Sequence, residues 1–350
     1  MNPFLITDTY ELIQTVDKLK RPANFLLDTL FSKELPCSTS THVYIEYRRG
    51  HRRLAPYVVK GNLGVNMSRE GTEVRMYTPP CLAPKRTISL ADIEMRQFGE
   101  TPVYSALTPE DRAARMLADD LVFLKSTITN RKAAQAAELV QTGKITIRGL
   151  ADGANGIVQE DTITFDVPAP LTKNWTNANA TIYEDLKDAS ESVQEMYGEI
   201  PTLCICGKNV EAYMLKNNVL KQFLFSSNPT AMAWLNLQPR YTSPQIRTLG
   251  FIGALNLTLV SYLETYVDEE TGEVKPFIDP DTCIICVPNC GQIVYGAVTL
   301  LQNGDWRTYS ASEIPFTTSD ERSQTASLTL FSRALCLPVD TYAWQTLKVA

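Results

Sequence analysis

Residues 72–100, TEVRMYTPPCLAPKRTISLADIEMRQFGE, cannot form a compact core element, and a long helix follows them at once. Pro79, Pro80 and Pro84 remove backbone donors and push the residues before them into extended conformations. The apolar residues between them are too sparse to bury a strand pair. Val74 and Met76 alternate with Glu73, Arg75 and Tyr77, which is the period of a two-stranded ribbon. The expected turn lies near Arg69, Glu70 and Gly71, where an extended loop spanning 57–97 doubles back. An isolated ribbon is barely stable in water, so this one needs another surface to lie against.

The helix that follows is well signposted. Thr108, Pro109, Glu110 and Asp111 supply an N-cap, a proline at the first helical position and acids in the first turn. No proline or glycine interrupts the chain from there to Thr142, and Gly143 supplies the stop. Met116, Leu117, Leu121, Leu124 and Ile128, then Ala133, Ala136, Ala137 and Val140, mark its apolar side. At about 1.5 Å per residue the helix is on the order of 50 Å long, more than a small domain requires. Its alanine-rich second half is narrow enough to lie close against a sheet.

Around this pair the chain alternates helix and strand signals. Leu12, Ile13, Val16 and Leu19, then the FLLDTLF patch at 25–31, read either as helices packed on the body or as an arm laid across neighbours. THVYIEY at 41–47 reads as a strand, followed by a basic knot of Arg48, Arg49, His51, Arg52 and Arg53. Such a knot is solvated surface, or it meets phosphate or a neighbour's acids. KITIR and DTITFDV form a hairpin whose glycine-rich tip, GLADGANG, lies between two strands and lacks the Lys-Ser/Thr of a phosphate loop. A second region opens near Pro170. It holds a capping box at Thr181 and Glu184, a helix to Gly198, strands at 202–206, 251–263 and 283–287, and a short helix at 208–216. It also holds a hairpin whose tip carries Asp268, Glu269 and Glu270, and two strands follow around Pro338 at the end of the chain. Helices and strands alternate in this second region, so it is α/β or α+β.

Several function classes fall away. With 350 residues and a net charge of −6, the chain has material for one or two cores and lacks the basic domain of a free nucleic-acid binder. MNPFLITDTYELIQ has no basic leader and carries Asp8 and Glu11, so no signal peptide is expected. The run at 249–263 is interrupted by Asn256, Thr258 and Ser261 and falls short of a membrane span. Only His42 and His51 are available for histidine chemistry, and no catalytic or nucleotide motif stands in its required context. No cofactor is expected. Cys283 and Cys286, three apart on a strand, point to opposite faces and so do not share a metal, while Cys286 and Cys290 could meet across a turn. The eight cysteines are read as reduced, small buried hydrophobes.

Several of these segments, in this order, resemble the lambda-type major head (capsid) proteins of tailed phages, the phage capsid protein E family. The resemblance rests on FLLDTLF at 25–31, the strand containing Val43 and Tyr44, and YTPPCLAPKRTISLADIEMRQFGE at 77–100. AAQAAELVQTGKITIRG at 133–149 and ETYVDEETGEVKPFIDPDTCIICVP at 264–288 extend it over most of the chain. The basic knot and the cysteine content depart from the family pattern. The resemblance implies an α+β fold of the Hong Kong 97 (HK97-like) type. In that layout 1–37 is an N-terminal arm, 38–56 and 98–172 a peripheral domain with its spine helix at 108–142, and 57–97 the extended loop. Residues 173–330 form an axial domain, and 331–350 return to the peripheral domain.

The same resemblance implies a non-enzymatic shell protein of the virion, assembled in the host cytoplasm as pentamers and hexamers of itself. A separate scaffolding protein is implied because the leader looks too short to be one. A portal protein, a decoration protein and packaged double-stranded DNA at the inner surface are the remaining implied partners, with no membrane. Val74, Met76, Tyr77 and Leu82 would meet an adjacent subunit, and Asp268, Glu269 and Glu270 would crowd at a capsomer axis. Arg48, Arg49, Arg52 and Arg53 would contact DNA or a neighbour. An encapsulin-type compartment shares this fold and is the rival reading; an enzyme with an unrecognised cysteine or carboxylate site is another.

Overall fold

In the computed structural model, which describes residues 9–48, 72–95, 108–150, 157–218, 241, 243–268, 271–302 and 304–350, the chain opens with helices α1 (Thr9–Lys18) and α2 (Phe25–Leu30). The short strand β1 (Lys33–Glu34) follows, then β2 (Val43–Arg48), β3 (Thr72–Tyr77), β4 (Lys85–Ser89) and the short helix α3 (Leu90–Glu94). The long helix is α4 (Pro109–Thr142), and a hairpin of β5 (Lys144–Leu150) and β6 (Ile157–Thr164) leaves it. Next come β7 (Leu171–Thr172), α5 (Ile182–Tyr197), β8 (Leu203–Cys206), α6 (Lys208–Lys216), β9 (Ile246–Ile252) and β10 (Leu257–Tyr262). The hairpin β11 (Thr265–Val267) and β12 (Val274–Pro276) leads to β13 (Thr282–Cys286) and β14 (Gly291–Tyr295). The closing strands are β15 (Val298–Gln302), β16 (Asp305–Tyr309), β17 (Ile314–Asp320), β18 (Thr325–Phe331), β19 (Ala334–Pro338) and β20 (Trp344–Lys348).

Helix α4 spans 34 residues and is closed at both ends by the residues that predicted it. The Thr108 hydroxyl accepts from the Asp111 N–H at 3.2 Å, and the Asp111 carboxylate accepts from the Thr108 N–H at 3.2 Å. At the other end Gly143 adopts φ +70°, and a β-carbon there would lie 2.2 Å from Val167 Cγ2, so no larger residue fits. The capping box expected at Thr181 does not form: Thr181 sits at ψ 51° rather than extended, and its hydroxyl makes no cap bond.

A six-stranded mixed sheet, ordered β7-β20-β13-β8-β10-β9, is covered on both faces. That explains why LCIC, TCIIC and LTLVSY are buried along their whole length rather than alternating. On one face Leu203, Ile205, Val260, Ile284 and Trp344 meet Ala133, Ala136, Ala137, Leu139 and Val140 of α4. Small alanines let the helix approach, and each buried Leu or Ile contributes about 1.5–3 kcal/mol. Trp344 Nε1 donates to the Val140 carbonyl at 3.1 Å, fixing that approach. On the other face Cys204, Cys206, Cys283, Ile285 and Leu347 pack with Leu186 and Ala189 of α5 and Val210 of α6.

Three pairings set the ribbon, the returning leg and the final strands. The partner of β3 is β2, with Tyr44 opposite Met76 and Glu46 opposite Val74, so the ribbon starts before residue 57; the turn expected at Arg69, Glu70 and Gly71 lies outside the described residues. The returning leg of the loop is part of the subunit's own sheet: β4 pairs with β18, and Leu82 bridges Ser332 through two backbone bonds of 2.8 and 2.9 Å. The final strands separate, since β19 pairs with β14 whereas β20 enters the six-stranded sheet between β7 and β13. Its Trp344 and Thr346 side chains both donate to the Val140 carbonyl, at 3.1 and 2.6 Å.

Candidate assembly surfaces

The ribbon β2–β3 has a buried side and an open side. Ile45 and Tyr77 are buried in the main core, with the Tyr77 ring 5.6 Å from that of Phe165. Tyr44, Val74 and Met76 occupy the opposite side and are 64%, 56% and 55% exposed. Of the four residues expected to meet a neighbour, Val74 and Met76 are therefore open, whereas Tyr77 is used inside its own subunit. Leu82 packs beside the cluster of Val16, Leu121, Leu124, Ile128, Leu328 and Leu330, held there by the Ser332 bridge. Tyr44 was not singled out from the sequence, although the period-two alternation of the strand placed it on the face opposite Ile45.

The other expected sites divide in the same way. Arg48 ends β2 opposite Thr72, while Arg49, Arg52 and Arg53 lie outside the described residues. In the β11–β12 hairpin Asp268 is paired with Lys275, and that bond holds the Lys275 ammonium above its usual range. Asp268 is thus a compensated charge; Glu269 and Glu270 lie outside the described residues. Among the described residues the hairpin also exposes an apolar cross-strand pair, Val267 and Val274, 63% and 66% exposed, beside the exposed Glu273.

Helix α4 joins these surfaces. Near its start Arg86 of β4 bonds Asp120 at 2.7 Å and stacks 3.8 Å from the centre of the Phe123 ring, tying the returning leg to the helix. Farther along, Lys125 Nζ donates to the carbonyls of Val16 and Leu19, both at 2.7 Å, and so fastens the end of α1. Lys132 Nζ donates to Tyr295 Oη and Glu313 Oε1, each at 3.2 Å, and Lys125 lies 3.7 Å from the same carboxylate. Burial, then the acids Glu34 and Glu313, push the Tyr295 phenol well above its usual range, so it remains protonated. The leader helices thus pack on the body, the first of the two arrangements left open by their sequence. Neither lysine was recognised as buried.

The structure also gathers three thiols. Cys206 of β8 stands opposite Cys283 of β13, and Cys204 follows on the same face. Cys204 Sγ is 3.2 Å from Cys283 Sγ and 3.7 Å from Cys206 Sγ, and all three side chains are fully buried. Thiol hydrogen bonds from Cys204 and Cys283 lower the Cys206 thiol below its usual range, against the opposing effect of burial. Cys286 lies on the other face, as its spacing from Cys283 required. Among the described residues this is the one grouping of Cys, His, Asp or Glu close enough to share a metal ion. Among those residues, too, no helix is long and apolar enough to cross a membrane.

The structure is similar to that of a protein described as a capsid protein of a prophage of Escherichia coli CFT073, with a TM-score of 0.68 and 17% identity. That match covers 98% of this chain and 99% of the other. A phage-related protein of Bordetella bronchiseptica RB50 aligns at a TM-score of 0.49 and 10% identity, covering 98% and 97% of the two chains. The mature capsid of bacteriophage PhiM1 aligns at 0.48 and 9%, covering 89% and 82%. Among curated protein sequences, none matches this chain. The fold is the HK97-like one that the family resemblance implies, and a compartment protein of the encapsulin type is not favoured. A profile of the phage major capsid protein E family matches residues 8–349, so the chain belongs to that family and is a major capsid protein of a phage or prophage.

Proposed function

We propose that subunits of this chain close into pentamers and hexamers by laying the β2–β3 ribbon on adjacent copies. The observation that carries this reading is the ribbon's division into a rooted side and an open side. Ile45 and Tyr77 anchor it in the subunit core, while Tyr44, Val74 and Met76 present a continuous apolar strip. A two-stranded ribbon with such a strip needs a covering surface. Head-to-tail contacts that close by rotation supply that surface in a ring of identical chains. The six-stranded sheet with α5 and α6 is the axial part in this reading, and α4 with β5, β6 and the β17-β18-β4 sheet is the peripheral part.

The β11–β12 hairpin would approach a capsomer axis through Val267 and Val274, with Asp268 neutralised by Lys275. Shell growth with a separate scaffolding protein, a portal, a decoration protein and packaged double-stranded DNA, in a host cytoplasm, follows from the family resemblance. Arg48, Arg49, Arg52 and Arg53 remain the residues proposed to meet DNA or a neighbour. If their partner is a neighbour, alanine at all four blocks empty shells; if it is DNA, only filled heads lose stability.

The decisive variant is Tyr44→Ser, Val74→Ser, Met76→Ser. It is expected to leave a soluble subunit that melts cooperatively at the wild-type temperature and builds no shells by sedimentation or negative stain. Normal shells from this variant would remove the ribbon from the interface.

A further inference from the structure

We propose that Cys204, Cys206 and Cys283 form a three-coordinate site for a soft monovalent metal ion, copper(I), at the centre of the six-stranded sheet. The register builds it. Antiparallel pairing sets Cys206 of β8 directly across from Cys283 of β13, and the two-residue period of β8 brings Cys204 to the same face. Three equal metal–thiolate bonds of about 2.3 Å, taking the zinc value, place planar trigonal sulfurs about 4 Å apart. Here two of the separations are 3.2 and 3.7 Å and all three fall within 4.8 Å, so small side-chain rotations reach that geometry.

The donor set decides which ion. Zinc takes four ligands in a closed structural site, and no fourth Cys, His, Asp or Glu joins this group among the described residues. The surroundings are apolar: Ile285, Leu186, Ala189, Val210 and the thioether-bearing Met214 belong to the same buried cluster. Three soft sulfurs in a dry pocket match a d10 ion content with three ligands. Binding needs no oxidant: each thiol that bonds the ion gives up its proton to solvent, and the metal keeps its charge. The ion would cross-link β8 to β13, the two strands at the middle of the sheet.

The test uses the full chain carrying Cys37→Ser and Cys81→Ser, which removes the thiols outside the core. Under anaerobic reducing conditions, copper(I) is offered against a chromophoric copper(I) chelator, with silver(I) as a parallel probe. One ion per chain is expected, together with a melting temperature raised by about 5 °C or more at saturating ion. Cys206→Ala or Cys283→Ala should weaken retention at least tenfold, whereas Cys286→Ala and Cys336→Ala, whose thiols face the other core, should not. X-ray absorption of the loaded parent should show three sulfur neighbours and needs no folded variant. The proposal is overturned by retention equal to that of the Cys204→Ala, Cys206→Ala, Cys283→Ala chain, by equal sensitivity to Cys286→Ala, or by zinc held with a nitrogen or oxygen neighbour.

Discussion

The two ends of α4 are held by different physics. From Ala133 to Val140 the helix is interior: Ala133, Ala136, Leu139 and Val140 are essentially without exposure. Its last turn is fixed by Gln141, which donates to the Phe277 carbonyl at 2.9 Å and accepts from the Asp279 N–H at 2.8 Å. Toward its start, Val122 and Phe123 are about half exposed; there Leu121, Leu124 and Ile128 join only a smaller cluster with Val16, Leu328 and Leu330, and Arg86 adds a salt bridge and a ring stack. One end is the subunit's core; the other is a platform on which the returning leg of the loop and the first helix rest. A helix longer than its own domain needs is explained by that second task.

The sharpest way to break the comparison is at the buried charges between the two ends. Glu313→Leu leaves Lys125 and Lys132 as ammonium groups without their carboxylate in the core. Removing one partner of a buried ion pair costs roughly 3–5 kcal/mol, so the unassembled subunit should lose about that much in denaturant unfolding. Adding Lys125→Met and Lys132→Met should restore most of the loss. A loss below about 1 kcal/mol for the single change would mean that water reaches the cluster.

Next in size is packing. Leu139→Ala should cost about 2–5 kcal/mol, because the sheet on that face cannot collapse into the space. Val122→Ala, in the exposed half, should stay within about 0.5 kcal/mol in the same assay. Equal costs at the two sites would erase the distinction between core and platform.

A smaller effect is expected where β4 meets the helix. Arg86→Ala removes the partner of the buried Asp120, a pair screened on its half-exposed arginine side and worth about 1 kcal/mol, and a stack on Phe123 of about 0.5–1 kcal/mol. High salt should shrink only the first part, since at 1 M the screening length falls to about 3 Å. A loss that vanishes entirely in salt would assign no role to the ring.

How much of this was legible depended on whether a signal was local. Thr108, Pro109 and Gly143 bounded α4 correctly, and the alanine-rich stripe pointed to close packing on a sheet, because caps and helical periodicity act within a few residues. The strands β8 and β13 were equally visible, but their pairing joins residues 79 apart, so the meeting of Cys204 with Cys283 left no local trace. The same holds for β4 with β18 and for β20, whose partners are chosen by sheet order. Lys125 and Lys132 carry no local sign of burial, because lysine is almost never fully buried unless paired and their partners lie on distant segments. Tyr77 was assigned to a neighbour because Phe165, which covers it, belongs to another hairpin.

The smallest expected effect separates the two ends by acid. At the start of α4 the Asp111 carboxylate accepts hydrogen bonds from the Thr108 hydroxyl and the Thr108 N–H, and these hold it below the usual carboxylate range. A carboxyl lowered in the folded state stabilises above its unfolded value, near pH 4, and that contribution is lost as pH falls through the lowered folded value. The other end is closed by Gly143, whose N–H bonds the Leu139 carbonyl at 2.8 Å and has no proton to gain. Lowering the pH should therefore reduce amide protection, measured against the intrinsic exchange rate at each pH, in the first turn before it changes the last. Asp111→Asn should remove that difference, because its amide cannot titrate. Acid-induced exchange that begins at both ends together, or that persists unchanged in Asp111→Asn, would show that the cap does not govern how the platform end frays.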